Sequence, residues 1–146
     1  FLYDRTTAKS INAALGPSAW GAASILSAFD EALAGVRDVG VRYDAIRFSP
    51  RWPVTGLDEV RYFTGYEAAN AVVDVRYVRR ANGLRYLLRS PAKNVTAHIL
   101  LPSGRTAREV WLNGAPRAFE TTTMGDSRYV DFETEGMGTY DIEILF

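Results

Sequence analysis

Acidic side chains are the residues of this chain that could act as a general acid and base. Hydrolysis of a glycosidic bond uses two carboxyl groups at a fixed separation, one donating a proton and the other attacking or activating water. Asp30 and Glu31 are neighbours in a predicted helix, so their side chains point about 100° apart. Asp58 and Glu59 are neighbours in a predicted strand, where successive side chains face opposite sides. The sequence therefore places no acid pair, and we predict no catalytic residue.

Histidine and cysteine give no further chemistry. The chain has no cysteine, which excludes disulfides, thiolate nucleophiles and zinc–thiolate sites. Its one histidine, His98, lies on the polar phase of a predicted strand, with no nucleophile motif beside it. A metal site there would need carboxylates for all its other ligands. We predict no metal site and no cofactor, and we interpret His98 as a surface residue of its strand.

The aromatic residues between positions 51 and 70 have the composition of a binding site. Flat rings stack on the C–H faces of sugars while nearby polar groups bind the hydroxyls, so the candidate carbohydrate-binding residues are Trp52, Tyr62, Tyr66 and Glu67. Large aromatic side chains also commonly fill a core. The two interpretations differ in whether the rings lie exposed and coplanar or buried against a helix.

Composition and charge narrow the class of protein. The chain has 146 residues, 47% of them hydrophobic and 23% charged, which suits one ordinary globular unit. The 17 basic residues are balanced by 17 acidic ones, and no basic footprint for nucleic acid is present. No stretch is long and apolar enough to predict a transmembrane helix. We therefore expect neither a nucleic acid nor a membrane as the partner.

The first quarter of the chain has a helical period. Residues 6–15 form a short helix candidate that Gly16-Pro17 ends. Residues 18–36 form a longer one, with Ser18 as the N-cap and Gly35 near its end. Small apolar residues cover much of its polar side, which is typical of a helix packed on more than one side.

From about residue 40, apolar and polar residues alternate with a period of two. Alternating runs separated by turn residues predict strands, and Asn113-Gly114 is a strong hairpin signal because both positions need positive φ. Further strands are predicted at 41–48, 58–66 and 84–89. The expected fold is mainly β, an antiparallel β-sandwich (jelly-roll-like) preceded by an N-terminal helical pair. The expected domains are a helical hairpin at 1–37 and a C-terminal β-sandwich at 38–146.

Several segments of the chain resemble a known group of enzymes. The run SAWGAASILSAFDEALAGV at 18–36 resembles the last inner helix of six-hairpin α/α-toroid glycosidases, and YDAIRFSPRWP at 43–53 is similar to the strand that follows it. The sandwich strand and Leu-Pro-x-Gly turn at 94–104 and the WLNG hairpin at 111–114 carry the resemblance further. Families with this order of parts include α-L-rhamnosidase-like hydrolases and inverting disaccharide phosphorylases.

The resemblance implies a role without chemistry for this chain. In such enzymes the catalytic acids lie on toroid loops upstream of the last hairpin, so no catalytic residue carries over to these positions. The resemblance implies that the helical hairpin at 1–37 is the end of a larger α/α toroid. The main hypothesis is a structural C-terminal domain of a glycoside hydrolase-like enzyme, with the upstream toroid as its partner. The start at Phe1 leads us to expect a segment of a longer polypeptide. Two alternatives stay open: an independent carbohydrate-binding module that uses the aromatic platform, and a small free-standing enzyme.

Overall fold

A computed structural model describes residues 3–4, 9–10, 19–136 and 138–146. Tyr3–Asp4 (β1) and Lys9–Ser10 (β2) pair as a two-stranded antiparallel ribbon. The helix predicted for 6–15 is therefore wrong at Lys9–Ser10, and its other residues lie outside the described residues. A ten-residue helix is marginal by itself because nucleation is costly. The described part of the chain contains a single α-helix near the N-terminus.

That helix ends at a glycine that also begins the sandwich. Helix α1 (Ala19–Ala28) continues as a π-helical turn, Phe29–Ala34, and Gly35 follows with φ of 70°. The amide of Gly35 donates to the carbonyl of Asp30, which closes the last turn. The predicted stop at Gly35 is confirmed. Val36, which we expected in the helix, instead begins a strand, because the left-handed conformation at Gly35 turns the chain.

The remaining chain is mainly strand, joined by turns and two short 3₁₀ turns, Trp52–Val54 and Glu67–Ala69. The strands are β3 (Val36–Asp38), β4 (Ala45–Phe48), β5 (Glu59–Tyr66), β6 (Ala71–Arg80), β7 (Gly83–Ser90), β8 (Asn94–Leu100), β9 (Glu109–Leu112), β10 (Ala115–Pro116), β11 (Glu120–Met124), β12 (Ser127–Glu135) and β13 (Gly138–Leu145).

The strands form two sheets that pack face to face. One sheet has the order β10-β9-β13-β7-β6-β5, with every pair antiparallel. The other has the order β11-β12-β8-β4-β3 and is antiparallel except where β4 runs parallel to β8. Phe48 of one sheet meets Tyr86 of the other edge to face, at 5.6 Å between ring centroids. The expected mainly β, antiparallel sandwich is confirmed.

The alternation of apolar and polar residues along the strands predicted the buried core positions correctly. Val73, Val75 and Tyr77 alternate with more exposed residues along β6 and are fully buried. The Asn113-Gly114 hairpin is also confirmed, with φ of 51° and 78°. The strand predicted at 41–48 starts only at Ala45. Arg42 and Tyr43 have positive φ, and this turn is closed by the Val41 amide donating to the Asp44 carboxylate at 2.7 Å.

Gly35 is held between the helix and the sheet by its backbone. Its carbonyl accepts from the Ser49 amide at 2.7 Å, and the Leu33 carbonyl accepts from the Arg51 amide at 3.0 Å. A Cβ at Gly35 would overlap the Ser49 carbonyl group and the Pro50 nitrogen. Both the positive φ and the close backbone approach therefore require glycine at this position.

We predict that Gly35→Ala lowers the free energy of unfolding by roughly 3 kcal/mol, since backbone strain and steric overlap add. Gly56→Ala is the matched control, because Gly56 has φ of 75° with no atom near its Cβ position. It should cost about 1 kcal/mol, the strain alone. Urea unfolding followed by tryptophan fluorescence measures both. Equal losses in the two variants would contradict the close approach at Gly35.

Removal of the hydroxyl should change the free energy of unfolding differently at two buried tyrosines, Tyr86 and Tyr140. The Tyr86 hydroxyl is fully buried without a hydrogen-bond partner among the described residues, and burial raises its pKa well above the usual value. The Tyr140 hydroxyl lies 2.7 Å from the Gly136 carbonyl and 2.9 Å from that of Ala92. We predict that Tyr140→Phe lowers the free energy of unfolding by about 1 kcal/mol, whereas Tyr86→Phe leaves it unchanged or raises it. Thermal unfolding of both variants checks this; a loss in Tyr86→Phe equal to that in Tyr140→Phe would refute it.

Candidate functional site

Two of the four candidate carbohydrate-binding residues lie in a packed aromatic seam. Trp52 is 3% exposed, and its ring lies 6.0 Å from that of Phe29, which follows α1. Tyr62 of β5 is half-buried, 5.5 Å from Phe29 and 6.3 Å from Trp52, with ring planes 51° apart in both contacts. The rings of Trp52 and Tyr62 are therefore neither coplanar nor fully exposed, in contrast to the platform considered from the sequence. They attach the helix to the sandwich.

The other two candidate residues lie at the surface. Tyr66 ends β5 and is exposed, but one face of its ring stacks on the buried Tyr43 at 5.0 Å, with 28° between the planes. Glu67 begins the 3₁₀ turn that follows and is exposed. A ligand could therefore reach Glu67 and the outer face of Tyr66. Carbohydrate binding at these residues stays a prediction.

Several exposed apolar side chains lie on α1 and on strand β5, and residues of both elements line one groove. On α1, Trp20, Ile25 and Leu26 are 85%, 72% and 64% exposed, and on β5 Phe63 is 73% exposed. These apolar residues of α1 make little contact with the part of the chain that the structure describes. We call Trp20, Ile25, Leu26 and Phe63 the apolar surface. Exposed apolar side chains grouped on one part of a protein are typical of an interaction site.

A groove runs between α1 and β5 within this surface. Its volume is about 760 Å³, and it lies open to solvent. Its apolar walls include Leu26, Phe29 and Phe63. Its polar groups are the side chains of Asp30, Tyr62, Thr64, Glu67 and Asn70. A concave apolar site with a few polar groups is suited to receive side chains of a partner.

Asp30, in the π-helical turn that continues α1, contributes a carboxylate to this groove. The Thr64 hydroxyl donates to its Oδ2 at 3.3 Å. Burial raises the pKa of the Asp30 carboxyl; the hydrogen bond from Thr64 opposes this shift, and the charge of Glu31 adds to it. The Glu31 carboxylate has an ion-pair partner of its own, since Arg37 Nε lies 3.6 Å from Glu31 Oε2. Among the residues that line the groove, Glu67 adds a second carboxylate, and none is a lysine or arginine.

The outer face of the six-stranded sheet has the opposite character. Arg61 of β5 donates twice to Asp74 of β6, at 3.3 and 3.0 Å. Arg85 of β7 donates twice to Asp141 of β13, at 2.8 and 2.6 Å, and these bonds hold the pKa of Asp141 below its usual value. Opposite charges on neighbouring strands pair with each other here, which is typical of a solvated face.

His98 is more enclosed than we expected. Its Nδ1 bonds to Asp131 on the neighbouring strand, and its ring stacks on Tyr129 at 4.1 Å with 9° between the planes. His98 alternates with the buried residues of β8, as its polar phase in the strand predicts, but only 17% of its side chain is exposed. Neighbouring side chains on β12 cover it. In the described parts of the chain, histidine, aspartate and glutamate side chains form no group of three or more that could hold a metal ion.

The sequence pattern identifies some residues of the groove but does not indicate that they lie close together. Phe29 lies on the apolar stripe of the predicted helix and Phe63 in the aromatic cluster, so hydrophobicity identified both. Asp30 was considered only as half of a pair with Glu31. Thr64 carried no signal, because its contact with Asp30 joins residues 34 positions apart.

Comparison with solved structures gives a match for most of the fold. The chain matches an α-L-rhamnosidase from Dictyoglumus thermophilum with a TM-score of 0.60 and 19% sequence identity. The match covers 85% of this chain and 14% of the rhamnosidase chain. At this identity the likeness establishes a shared fold. No protein-family model matches the sequence, and no curated protein matches it.

Among the described residues, no helix has the length and apolar character needed to cross a membrane.

The exposed apolar surface predicts the behaviour of the isolated chain. We expect it to bind a hydrophobic dye and to self-associate, because water is released when the apolar surface is covered. The double variant Trp20→Ser/Leu26→Ser should lose both properties without a lower free energy of unfolding. Dye fluorescence and size-exclusion chromatography with light scattering measure them.

Val54→Ser/Leu57→Ser is the matched control, since both residues are exposed apolar side chains that do not line the groove. It should behave like the unmodified chain. A strictly monomeric chain that binds no dye would show that the apolar surface needs no cover.

Proposed function

We propose that this chain is the non-catalytic C-terminal sandwich of a glycoside hydrolase-like enzyme, and that α1 and its groove join it to the enzyme's helical catalytic domain. In this arrangement α1 belongs to the last hairpin of an α/α toroid. The sandwich covers the end of the toroid and stabilises it, and the chemistry takes place on residues outside this chain.

The observation that carries the proposal is the exposure of α1. A helix whose residues Trp20, Ile25 and Leu26 are mostly in solvent lacks the packing that stabilises most protein helices. Its neighbours would be supplied by the preceding domain. The fold shared with a segment of a rhamnosidase supports the same assignment, because that segment is a small part of a much larger enzyme.

The position of the aromatic rings favours this role over that of an independent carbohydrate-binding module. Phe29, Trp52 and Tyr62 pack against one another and fix the helix to the sandwich. Rings used in this way stabilise a junction between two structural units. A binding module would present them to solvent.

The test is to express the full polypeptide encoded by the reading frame, a version that ends before this chain, and this chain alone. Each is assayed on a panel of p-nitrophenyl glycosides that includes the α-L-rhamnoside. We expect hydrolysis by the full polypeptide, none by this chain, and a lower thermal midpoint for the shortened polypeptide because its helical end is uncovered.

Two results would overturn the proposal. One is a reading frame without an upstream helical domain. The other is a shortened polypeptide as stable and active as the full one, while this chain alone binds a glycan through Tyr66 and Glu67, as shown by loss of binding in Tyr66→Ala and Glu67→Gln. The second result would assign the chain to the carbohydrate-binding modules.

A further inference from the structure

We infer that the domain surface covering the groove presents a lysine or arginine, surrounded by apolar side chains, to Asp30. This inference rests on the proposed function, since it takes the preceding domain of the same polypeptide as the occupant. It adds the chemistry by which that domain is recognised: one ion pair within an apolar contact.

The charges in the groove indicate the charge of the surface that covers it. The walls of the groove are apolar at Leu26, Phe29 and Phe63, and its charged groups are the carboxylates of Asp30 and Glu67. Among the described residues that line it, none carries a positive charge. Elsewhere on β5 and β6 carboxylates have arginine partners within the chain, as Asp74 has in Arg61. The groove therefore has a negative potential that a cationic partner would match.

Covering the groove would also change the solvation of the Asp30 carboxylate. Its contact with the Thr64 hydroxyl is long, at 3.3 Å, and burial already raises the pKa of its carboxyl. A partner that covers the groove would remove the remaining water from this carboxylate. A charge buried without a counter-ion is strongly unfavourable, whereas an opposite charge at close range is most effective where water is excluded.

In the isolated chain, the charge of Asp30 does not stabilise the fold. A folded-state pKa above the ordinary value means that the ionised carboxyl opposes folding at neutral pH, and that this cost disappears as the pH falls below the ordinary aspartate pKa. Asp30→Asn removes the charge and keeps a carbonyl oxygen that can accept from Thr64. The thermal midpoint of the isolated variant should therefore be unchanged or higher.

The test is whether a change in the charge of Asp30 lowers or raises the protection of the helical segment from hydrogen exchange. Hydrogen–deuterium exchange of residues 19–34 is measured in the full polypeptide and in this chain alone, for the unmodified protein and for Asp30→Asn, Asp30→Lys and Asp126→Asn. Asp126 is the charge-matched control, an exposed aspartate in the turn between β11 and β12, away from the groove.

We expect the full polypeptide to protect 19–34 more than the isolated chain does. In the full polypeptide, Asp30→Asn should lower this added protection at least about tenfold, because it leaves the partner's cation unpaired. Asp30→Lys should remove it, and Asp126→Asn should leave it unchanged. In the isolated chain, Asp30→Asn should exchange no faster than the unmodified protein.

Three outcomes separate failure of the inference from failure of the proposed function. Equal exchange of 19–34 in the full polypeptide and the isolated chain would refute the proposed function. Added protection that Asp30→Asn preserves or increases would refute the inference alone, since an apolar partner gains when the charge is removed. Added protection that Asp30→Lys increases would also refute it, because the partner would then present an anion.

Discussion

The backbone contact at Gly35 is the constraint on which the rest of this structure depends. Gly35 adopts a left-handed conformation, ends the helical segment and lies directly against the carbonyl of Ser49 and the nitrogen of Pro50. A side chain there would separate the helix from the strand that begins one residue later. Because backbone atoms meet at this point, the direction in which α1 leaves the sandwich is fixed by steric exclusion.

That direction decides which residues become a surface. The chain immediately around Gly35 is buried in the sandwich through Ala34 and Val36, and Phe29 reaches back to Trp52 and Tyr62. One turn further towards the N-terminus, the apolar residues of α1 have left the sandwich. The aromatic seam thus anchors the base of the helix while its remaining length stays open. This division explains why one helix contributes both to a core and to a candidate interface.

Charged side chains are paired differently in two regions of the six-stranded sheet. Where arginines and carboxylates alternate across β5, β6, β7 and β13, charges pair with each other and with water. Where β5 meets α1, Asp30 and Glu67 lie among apolar residues with no basic residue lining the described groove. A surface of the first kind is stable when solvated. One of the second kind gains most from a partner that brings apolar area and the missing charge.

The sequence by itself determined the mainly β fold, most strand positions, the stop at Gly35 and the hairpin at Asn113-Gly114, because alternation of burial and the need for positive φ are local properties. It also showed that the helix is apolar nearly all round. Only the tertiary structure decided that Val36 joins a sheet, that Trp52 is buried while Tyr66 is exposed, and that Asp30 meets Thr64. These outcomes depend on how segments far apart in the chain pack together, and residue type and spacing do not encode which of two apolar positions the fold will cover.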